Sequence, residues 1–148
     1  MPFLFKQKSF DFIVSEQLPF APSGHGDALY VYFEKQNMTT QQVIRHLRNQ
    51  FGLTRLTLGI AGLKDKKALT RQRITIYDSA LEKLGGERVF INSLKEIVKV
   101  LEVTRHEFPI GMSTPISNQF HIRLRSVGKL SKDEKVHALD FATKTLRE

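Results

Sequence analysis

The sequence AGLKDKKALTRQRITIY, residues 61–77, joins a cationic loop to an alternating strand pattern. Its first thirteen residues contain five Lys or Arg and a single acid, Asp65. Ile74 and Ile76 then occupy alternate positions, which predicts a strand with one buried face. Glycines in the loop and just before it allow the backbone to turn tightly. We therefore expect a positively charged loop that leads directly into a strand.

The single acid of this loop is a candidate for chemistry. Cations on both sides favour the ionised form of Asp65, which makes its carboxylate available as a nucleophile or a base at neutral pH. The plain alternative is a solvated turn whose lysines face water, and composition alone favours that alternative. The loop lacks the longer glycine-bracketed spacing, followed by Lys and Ser or Thr, that defines a phosphate-binding P-loop.

Two strands and one helix are predicted before the loop. Residues 10–15 and 29–34 alternate between the two sides of a strand, and a stretch rich in Pro and Gly separates them. Thr39 with Gln42 three residues later forms a capping box, and the helix that follows ends before Gly52.

The second half of the chain has a less uniform pattern. Residues 93–104 suit a helix, because Ser93 and Glu96 imitate a capping box, but they also suit a strand, and we expect a strand. Residues 120–125 alternate more clearly and have a basic outer face. A last helix is predicted from Ser131 to the final residue. A mixture of predicted strands and helices is compatible with the α/β (α+β) class.

The composition indicates one globular domain without cysteine chemistry. The 148 residues are 41% hydrophobic, which is enough to bury a core. The lack of cysteine excludes disulfides, thiolate metal sites and cysteine nucleophiles. The five histidines have no metal-ligand spacing, so we assign no metal. No stretch approaches the roughly 18 apolar residues of a membrane span, and we expect a cytoplasmic protein with no membrane partner.

The charge points to a polyanionic partner. The formal net charge is +8 and the isoelectric point is about 9.9. A surplus of Lys and Arg favours binding to phosphates, because binding releases their condensed counterions. RNA, DNA and an anionic membrane are all candidates on this ground.

Residues 61–72 closely resemble the signature of the tRNA pseudouridine synthase D family. The resemblance implies that Asp65 is the catalytic residue, with Lys64 beside it. Thr70 and Gln72 match the Thr-x-Gln positions of the family.

The resemblance continues over nearly the whole chain. Lys6 matches a basic residue that the family places near the catalytic carboxylate, and Phe12 lies in the N-terminal strand pattern. Residues 39–40 match the start of a family helix. Asn118 and Phe120 match an Asn-x-Phe segment whose Phe stacks on the target base. The family further implies that Lys6, Phe12, Lys64, Gln72, Asn118 and Phe120 bind the substrate.

By the same resemblance, the chain isomerises a uridine of tRNA to pseudouridine, at position 13 in the family, and requires no cofactor. Four cations in and after the loop are then expected to contact RNA phosphates: Lys66, Lys67, Arg71 and Arg73. The implied fold is part of the pseudouridine synthase catalytic core, a mainly antiparallel mixed sheet flanked by helices.

Residues 1–148 are expected to be the N-terminal part of that catalytic domain. Family members continue further, with an inserted domain and a later characteristic segment that has no counterpart here, and no stop signal follows the last predicted helix. Phe10 and Ser117 also depart from the acid and the glycine that are usual at these positions. An incomplete sheet would leave an edge and an apolar face exposed, so we expect low activity and self-association of the chain by itself.

Two other functions are compatible with the residues alone. The chain could be a basic RNA-binding fragment or split subunit whose loop holds phosphates without catalysing a reaction. A nucleotide hydrolase that uses Asp65 to cleave a glycosidic bond would fit the chemistry but not the long signature. Analysis of the product distinguishes the three functions. A synthase yields pseudouridine, an RNA-binding fragment yields no product, and a hydrolase yields free base.

Overall fold

A mixed sheet of five strands carries the fold in the computed structural model, which describes residues 3–4, 11–52, 58–62, 64, 68–111, 114–123 and 125–126. The elements in chain order are β1 (Phe3–Leu4), β2 (Phe12–Gln17), β3 (Ala28–Lys35), α1 (Thr40–Gln50), β4 (Leu69–Tyr77), α2 (Asp78–Lys83), α3 (Glu87–Lys95), β5 (Lys99–His106), β6 (Ser117–Ile122) and β7 (Arg125–Ser126). The sheet order is β5-β3-β4-β2-β6, and β1 pairs with β7 separately.

The sheet is antiparallel except at its centre. β3 pairs with β4 and with β5 in antiparallel register, and β6 pairs with β2 in the same way. β2 and β4 are parallel, with Val14 opposite Thr70. The predicted class, a mainly antiparallel mixed sheet with helices, is therefore confirmed.

The main core lies between one face of the sheet and the helices α1 and α3. The strand residues of this core occupy alternate positions of β3 and β4, as the period of two in a strand requires. These side chains pack against buried residues of the helices. Members of this core include Leu29, Val31, Phe33, Val43, Leu47, Ile74, Ile76, Phe90 and Leu94. This packing places α1 and α3 against the same face of the sheet. Ala28 and Tyr30, on the other face of β3, are buried in a smaller cluster with Ile110.

The predicted capping box of α1 is present. The Thr39 hydroxyl accepts a hydrogen bond from the Gln42 backbone N–H at 3.1 Å, and the Gln42 side-chain oxygen accepts one from the Thr39 N–H at 2.8 Å. The helix ends at Gln50, and Gly52 follows with a φ of +65°. The capping box was thus sufficient to locate the start of this helix.

The region after β4 differs from the prediction. Two helices, α2 and α3, lie where none was predicted, and α3 has Gly86 as its N-cap, without a side-chain capping bond. Residues 93–95 belong to α3, so the strand prediction was wrong for them, whereas the strand β5 begins at Lys99. Glu96 is the C-cap of α3, so the apparent capping box marked a helix end. The helix predicted from Ser131 lies outside the described residues.

Gly59 anchors the start of the loop to the sheet. Its N–H donates to the Thr75 carbonyl at 2.8 Å, and the Thr75 N–H donates back at 3.0 Å. A Cβ at this position would collide with the Thr75 hydroxyl and the Ile110 carbonyl oxygen. At Gly62, by contrast, the nearest atom to an added Cβ is the Lys64 ammonium nitrogen, 3.9 Å away.

We predict that Gly59→Ala lowers the free energy of unfolding by about 1–3 kcal/mol, the usual cost of overpacking a close contact. Gly62→Ala, in the same loop, is the matched control and should change it little, since its nearest neighbour is the end of a flexible side chain. Urea unfolding of both variants would check this. Equal stability of the two variants would contradict the packing around Gly59.

Candidate active site

A cluster of buried polar side chains lies on the helix-covered side of the sheet, where β2, β3 and β4 meet. Glu16, Lys35, Thr40, Thr70 and Gln72 are each no more than 2% exposed. Residues directly opposite each other in paired strands point to the same face, and Thr70 is paired with both Val14 and Lys35. We call these five residues the polar cluster.

The polar cluster fixes the backbone of Lys64, the residue that precedes Asp65. The Lys64 N–H donates to the Thr40 hydroxyl oxygen at 3.0 Å. That hydroxyl donates in turn to the Gln72 side-chain oxygen at 2.9 Å. The Lys35 ammonium donates to the Met38 carbonyl at 2.7 Å and lies 3.5 Å from the Lys64 carbonyl. Both backbone polar groups of Lys64 therefore face the polar cluster.

Glu16 contributes a buried carboxylate to this cluster. One of its oxygens accepts the Arg73 backbone N–H at 2.7 Å, and the other lies 3.7 Å from the Lys64 ammonium. Burial raises the pKa of Glu16 because it removes water from the charged form, although the Arg73 N–H and the Lys64 charge oppose the rise.

Three buried polar atoms of the cluster have no hydrogen-bond partner within the described part of the chain: Oε1 of Glu16, Oγ1 of Thr70 and Nε2 of Gln72. An unpaired buried polar atom costs about 1–3 kcal/mol. Such atoms are rare in folded proteins and call for a specific reason. Oε1 of Glu16 has a charged partner in the Lys64 ammonium at 3.7 Å, which leaves the atoms of Thr70 and Gln72 to be explained. A polar ligand is one such reason.

Beside the polar cluster lies a pair of parallel aromatic rings. Phe12 and Phe120 have ring centroids 6.0 Å apart and planes 5° from parallel. Phe12 is 3% exposed and packs with Val14 and Ala68, whereas Phe120 is 45% exposed. Phe120 thus presents a surface to solvent while Phe12 supports it from the core.

The structure brings five of the predicted substrate-binding residues to one side of the sheet. In the β2–β6 pairing, Asn118 lies opposite Glu16, and Phe120 lies opposite Val14. Gln72 belongs to the polar cluster, and Lys64 contacts it. The five residues are Phe12, Lys64, Gln72, Asn118 and Phe120. Lys6, Asp65, Lys66 and Lys67 lie outside the described residues.

Arg71 and Arg73 point to the opposite side of the sheet, because they alternate along β4 with Thr70 and Gln72. Arg71 pairs with Glu34 at 3.7 Å, and the Arg73 guanidinium lies 4.2 Å from the centroid of the Tyr32 ring. Arg73 also donates to the Glu16 carbonyl at 3.1 Å. Both side chains have protein partners, and their contact with RNA phosphates stays a prediction.

Glu16, Lys35 and Thr40 were not predicted as site residues. The sequence carries a signal that could have found Glu16: it occupies the same side of its strand as Phe12 and Val14. A charged residue at an inward position of an alternating strand is a candidate for a special role, since burial of a charge is costly. Lys35 carries the same signal, because it follows Leu29, Val31 and Phe33 at alternate positions of β3. The contacts of Thr40 depend on the folded chain and have no such signal.

Within the described residues, no group of three or more His, Cys, Asp or Glu could hold a metal ion. No helix in the described ranges is long and apolar enough to cross a membrane.

The fold is that of a pseudouridine synthase catalytic core. It matches the solved structure of a Methanosarcina mazei protein provisionally described as a tRNA pseudouridine synthase D, with a TM-score of 0.65 and 28% sequence identity. The match covers 92% of this chain and 30% of that protein.

The chain belongs to the tRNA pseudouridine synthase D (TruD) family, whose family model matches residues 3–148. It is 36% identical over 150 residues to the tRNA pseudouridine synthase D of Nitratiruptor, a match that covers 99% of this chain and 38% of the relative. A Thermus thermophilus protein of the same name is 36% identical over 121 residues, which cover 78% of this chain and 31% of the relative. The chain thus spans about a third of the length of these curated relatives.

Glu16 should make the stability of the fold depend on pH. Since its folded-state pKa is raised above 4.5, the folded chain retains a proton that the unfolded chain has already lost. Its contribution to the free energy of unfolding therefore falls as pH rises from about 4.5 through the folded pKa. Glu16→Gln does not titrate and keeps an acceptor for the Arg73 N–H, so this fall should be smaller in the variant.

Urea unfolding of both proteins between about pH 4 and pH 8 would measure this difference. Glu102→Gln, at an exposed position of β5, is the matched control. Its free energy of unfolding should depend on pH in the same way as that of the unaltered protein. If the stability of Glu16→Gln and of the unaltered protein depended on pH in the same way, Glu16 would not have a raised pKa in the folded chain.

Proposed function

We propose that this chain is the N-terminal part of the catalytic domain of a tRNA pseudouridine synthase and that Asp65 is its catalytic carboxylate. One observation carries the proposal: the backbone of Lys64, directly before Asp65 in the sequence, is held by the buried polar cluster. The stacked pair of Phe12 and Phe120 lies on the same side of the sheet. Membership of the family supports the same reaction.

Pseudouridine formation is an isomerisation. The N1–C1′ glycosidic bond of a uridine breaks, the uracil turns over, and its C5 forms a new bond to the same C1′. The proton on C5 is then lost and N1 gains one, so atoms balance without any redox change or external energy source. The reaction therefore needs no cofactor.

An ionised carboxylate can assist this reaction by attacking the ribose carbon or by removing a proton from the sugar. The lysines on either side of Asp65 in the sequence, Lys64 and Lys66, favour the ionised form of its carboxylate. Both routes use that form of Asp65.

The remaining residues would bind the RNA. A uridine must leave its base stack before it can react, and an exposed aromatic ring compensates for the lost stacking. Phe120 is suited to that role because its ring is half exposed and is supported by Phe12. Asn118 and Gln72 supply amide groups for the polar edges of the nucleotide. Lys6 and the cations Lys66, Lys67, Arg71 and Arg73 are proposed to contact the substrate or its phosphates.

A second candidate is an RNA-binding component without activity of its own. The observation in its favour is that the chain spans about a third of its relatives, 38% of one and 31% of another. In that case β5 and β6, the edge strands of the described sheet, would be sites where further chains or segments pair.

Incubation with unmodified tRNA distinguishes the candidates, since an RNA-binding component alone yields no product and a nucleotide hydrolase would yield free uracil.

We predict that Asp65→Asn abolishes pseudouridine formation and leaves tRNA affinity and melting temperature nearly unchanged. Asn keeps the shape of the side chain but has neither the negative charge nor the basicity that the reaction requires. Single-turnover rates should be measured in the longest protein that the gene encodes. Asp27→Asn, at an exposed position before β3, is the matched control and should retain full turnover. A variant at Asp65 with near-normal turnover would defeat the catalytic assignment.

We predict that Phe120→Leu lowers kcat/KM by a factor that corresponds to about 1–3 kcal/mol, the usual contribution of stacking one base on an aromatic ring. The melting temperature should change little, because Phe120 is 45% exposed. Phe108→Leu is the matched control, since Phe108 is 68% exposed and belongs to a different aromatic group around His106. An equal loss in both variants would argue against a stacking role for Phe120.

A further inference from the structure

The positive charge of this chain is concentrated in one segment. Residues 35–77 contain nine Lys or Arg and a single acid, Asp65, a surplus of eight that equals the +8 of the whole chain. The rest of the chain is therefore neutral in sum. Between Glu34 and Asp65 no acidic residue occurs at all. This acid-free stretch contains the whole of α1.

The outer surface of α1 is polar and cationic. Gln41, Arg45 and Arg48 are spaced four and three residues apart, so they lie along one face of the helix, and all three are exposed. The opposite face carries Val43 and Leu47, which are buried in the core. Among the described residues, neither guanidinium has a hydrogen-bond or ion-pair partner. We call Gln41, Arg45 and Arg48 the outer strip.

The outer strip begins at the end of α1 that contacts the candidate active site, since Gln41 directly follows Thr40. α1 begins at Thr40, whose hydroxyl contacts both Lys64 and Gln72. The helix covers the same side of the sheet as the polar cluster, and Phe120 faces this side as well. Arg71 and Arg73 point to the other side and already have partners in Glu34 and Tyr32.

We propose that the outer strip of α1 binds phosphates of the RNA backbone next to the reacting nucleotide. This proposal rests on the proposed function, since it takes RNA as the substrate. RNA carries one negative charge per nucleotide, and two free guanidiniums on an acid-free helix complement such a polyanion. An anionic membrane fits less well, because a membrane-bound helix inserts its apolar face, and the apolar face of α1 is occupied by the core.

A structural role for these cations must be separated from RNA binding. Arg48 lies in the last turn of α1, where a cation stabilises the negative end of the helix dipole. Gln has nearly the helix propensity of Arg, so Arg45→Gln with Arg48→Gln removes two charges with little effect on helix formation. Arg88→Gln with Lys95→Gln is the matched control, because it removes two exposed cations from α3.

The test is the salt dependence of binding of the 148-residue chain to transcribed, unmodified tRNA, with melting temperatures measured on the same preparations. Each lost phosphate contact should reduce the slope of log K against log salt by about 0.7–0.9. We expect the α1 double variant to lose about 1.4–1.8 of the slope, by the same relation, and the α3 control to keep it.

Three results would overturn the proposal: an unchanged slope in the α1 variant, an equal loss in the α3 control, or the absence of salt-dependent tRNA binding by the unaltered chain. Pseudouridine assays on the longest protein that the gene encodes separate this proposal from the proposed function. A reduced slope in a protein that makes no pseudouridine would support the outer strip and contradict the activity. Pseudouridine formation by a protein whose α1 double variant keeps the slope would support the proposed function and contradict the role of the outer strip.

Discussion

The hydroxyl of Thr40 donates to the buried side-chain oxygen of Gln72 and accepts from the backbone N–H of Lys64. One side chain therefore joins the start of α1, the strand β4 and the loop that carries Asp65. A hydroxyl is suited to this position because it donates one hydrogen bond and accepts others at the same time. The capping box of Thr39 and Gln42 fixes where α1 begins, and hence where Thr40 lies. The geometry of the candidate site depends on this connection.

The polar cluster occupies positions that would otherwise extend the hydrophobic core. Thr70 and Gln72 precede Ile74 and Ile76 on the same side of β4, and Glu16 continues the row of Phe12 and Val14 on β2. Burial of these groups with unpaired atoms costs free energy. The packing of the rest of the sheet against α1 and α3 offsets that cost, so the same sheet combines a stable core with a polar site.

The alternation of β4 also divides the functional residues between two surfaces. Even-numbered positions from 70 to 76 face α1 and the polar cluster, and Arg71 and Arg73 face Glu34 and Tyr32. A substrate that stacks on Phe120 would lie on the side of the sheet that faces α1 and the polar cluster. Among the described residues, the cations on the side of the polar cluster are Lys35 and Lys64, whereas Arg71 and Arg73 lie on the other side.

Local sequence patterns were enough to predict the strands β2, β3 and β4 and both ends of α1, because these depend on periodicity and on capping within four residues. The class of fold came from the resemblance to the family. The residues around Asp65 also identified the family. The same patterns did not predict α2 or α3, since α3 begins after a glycine without a capping side chain. Folding of the chain brings Glu16, Thr40 and Gln72 together, at sequence separations of 24 and 32 residues, and hydrogen bonds between distant strands and a helix leave no periodic trace in the sequence.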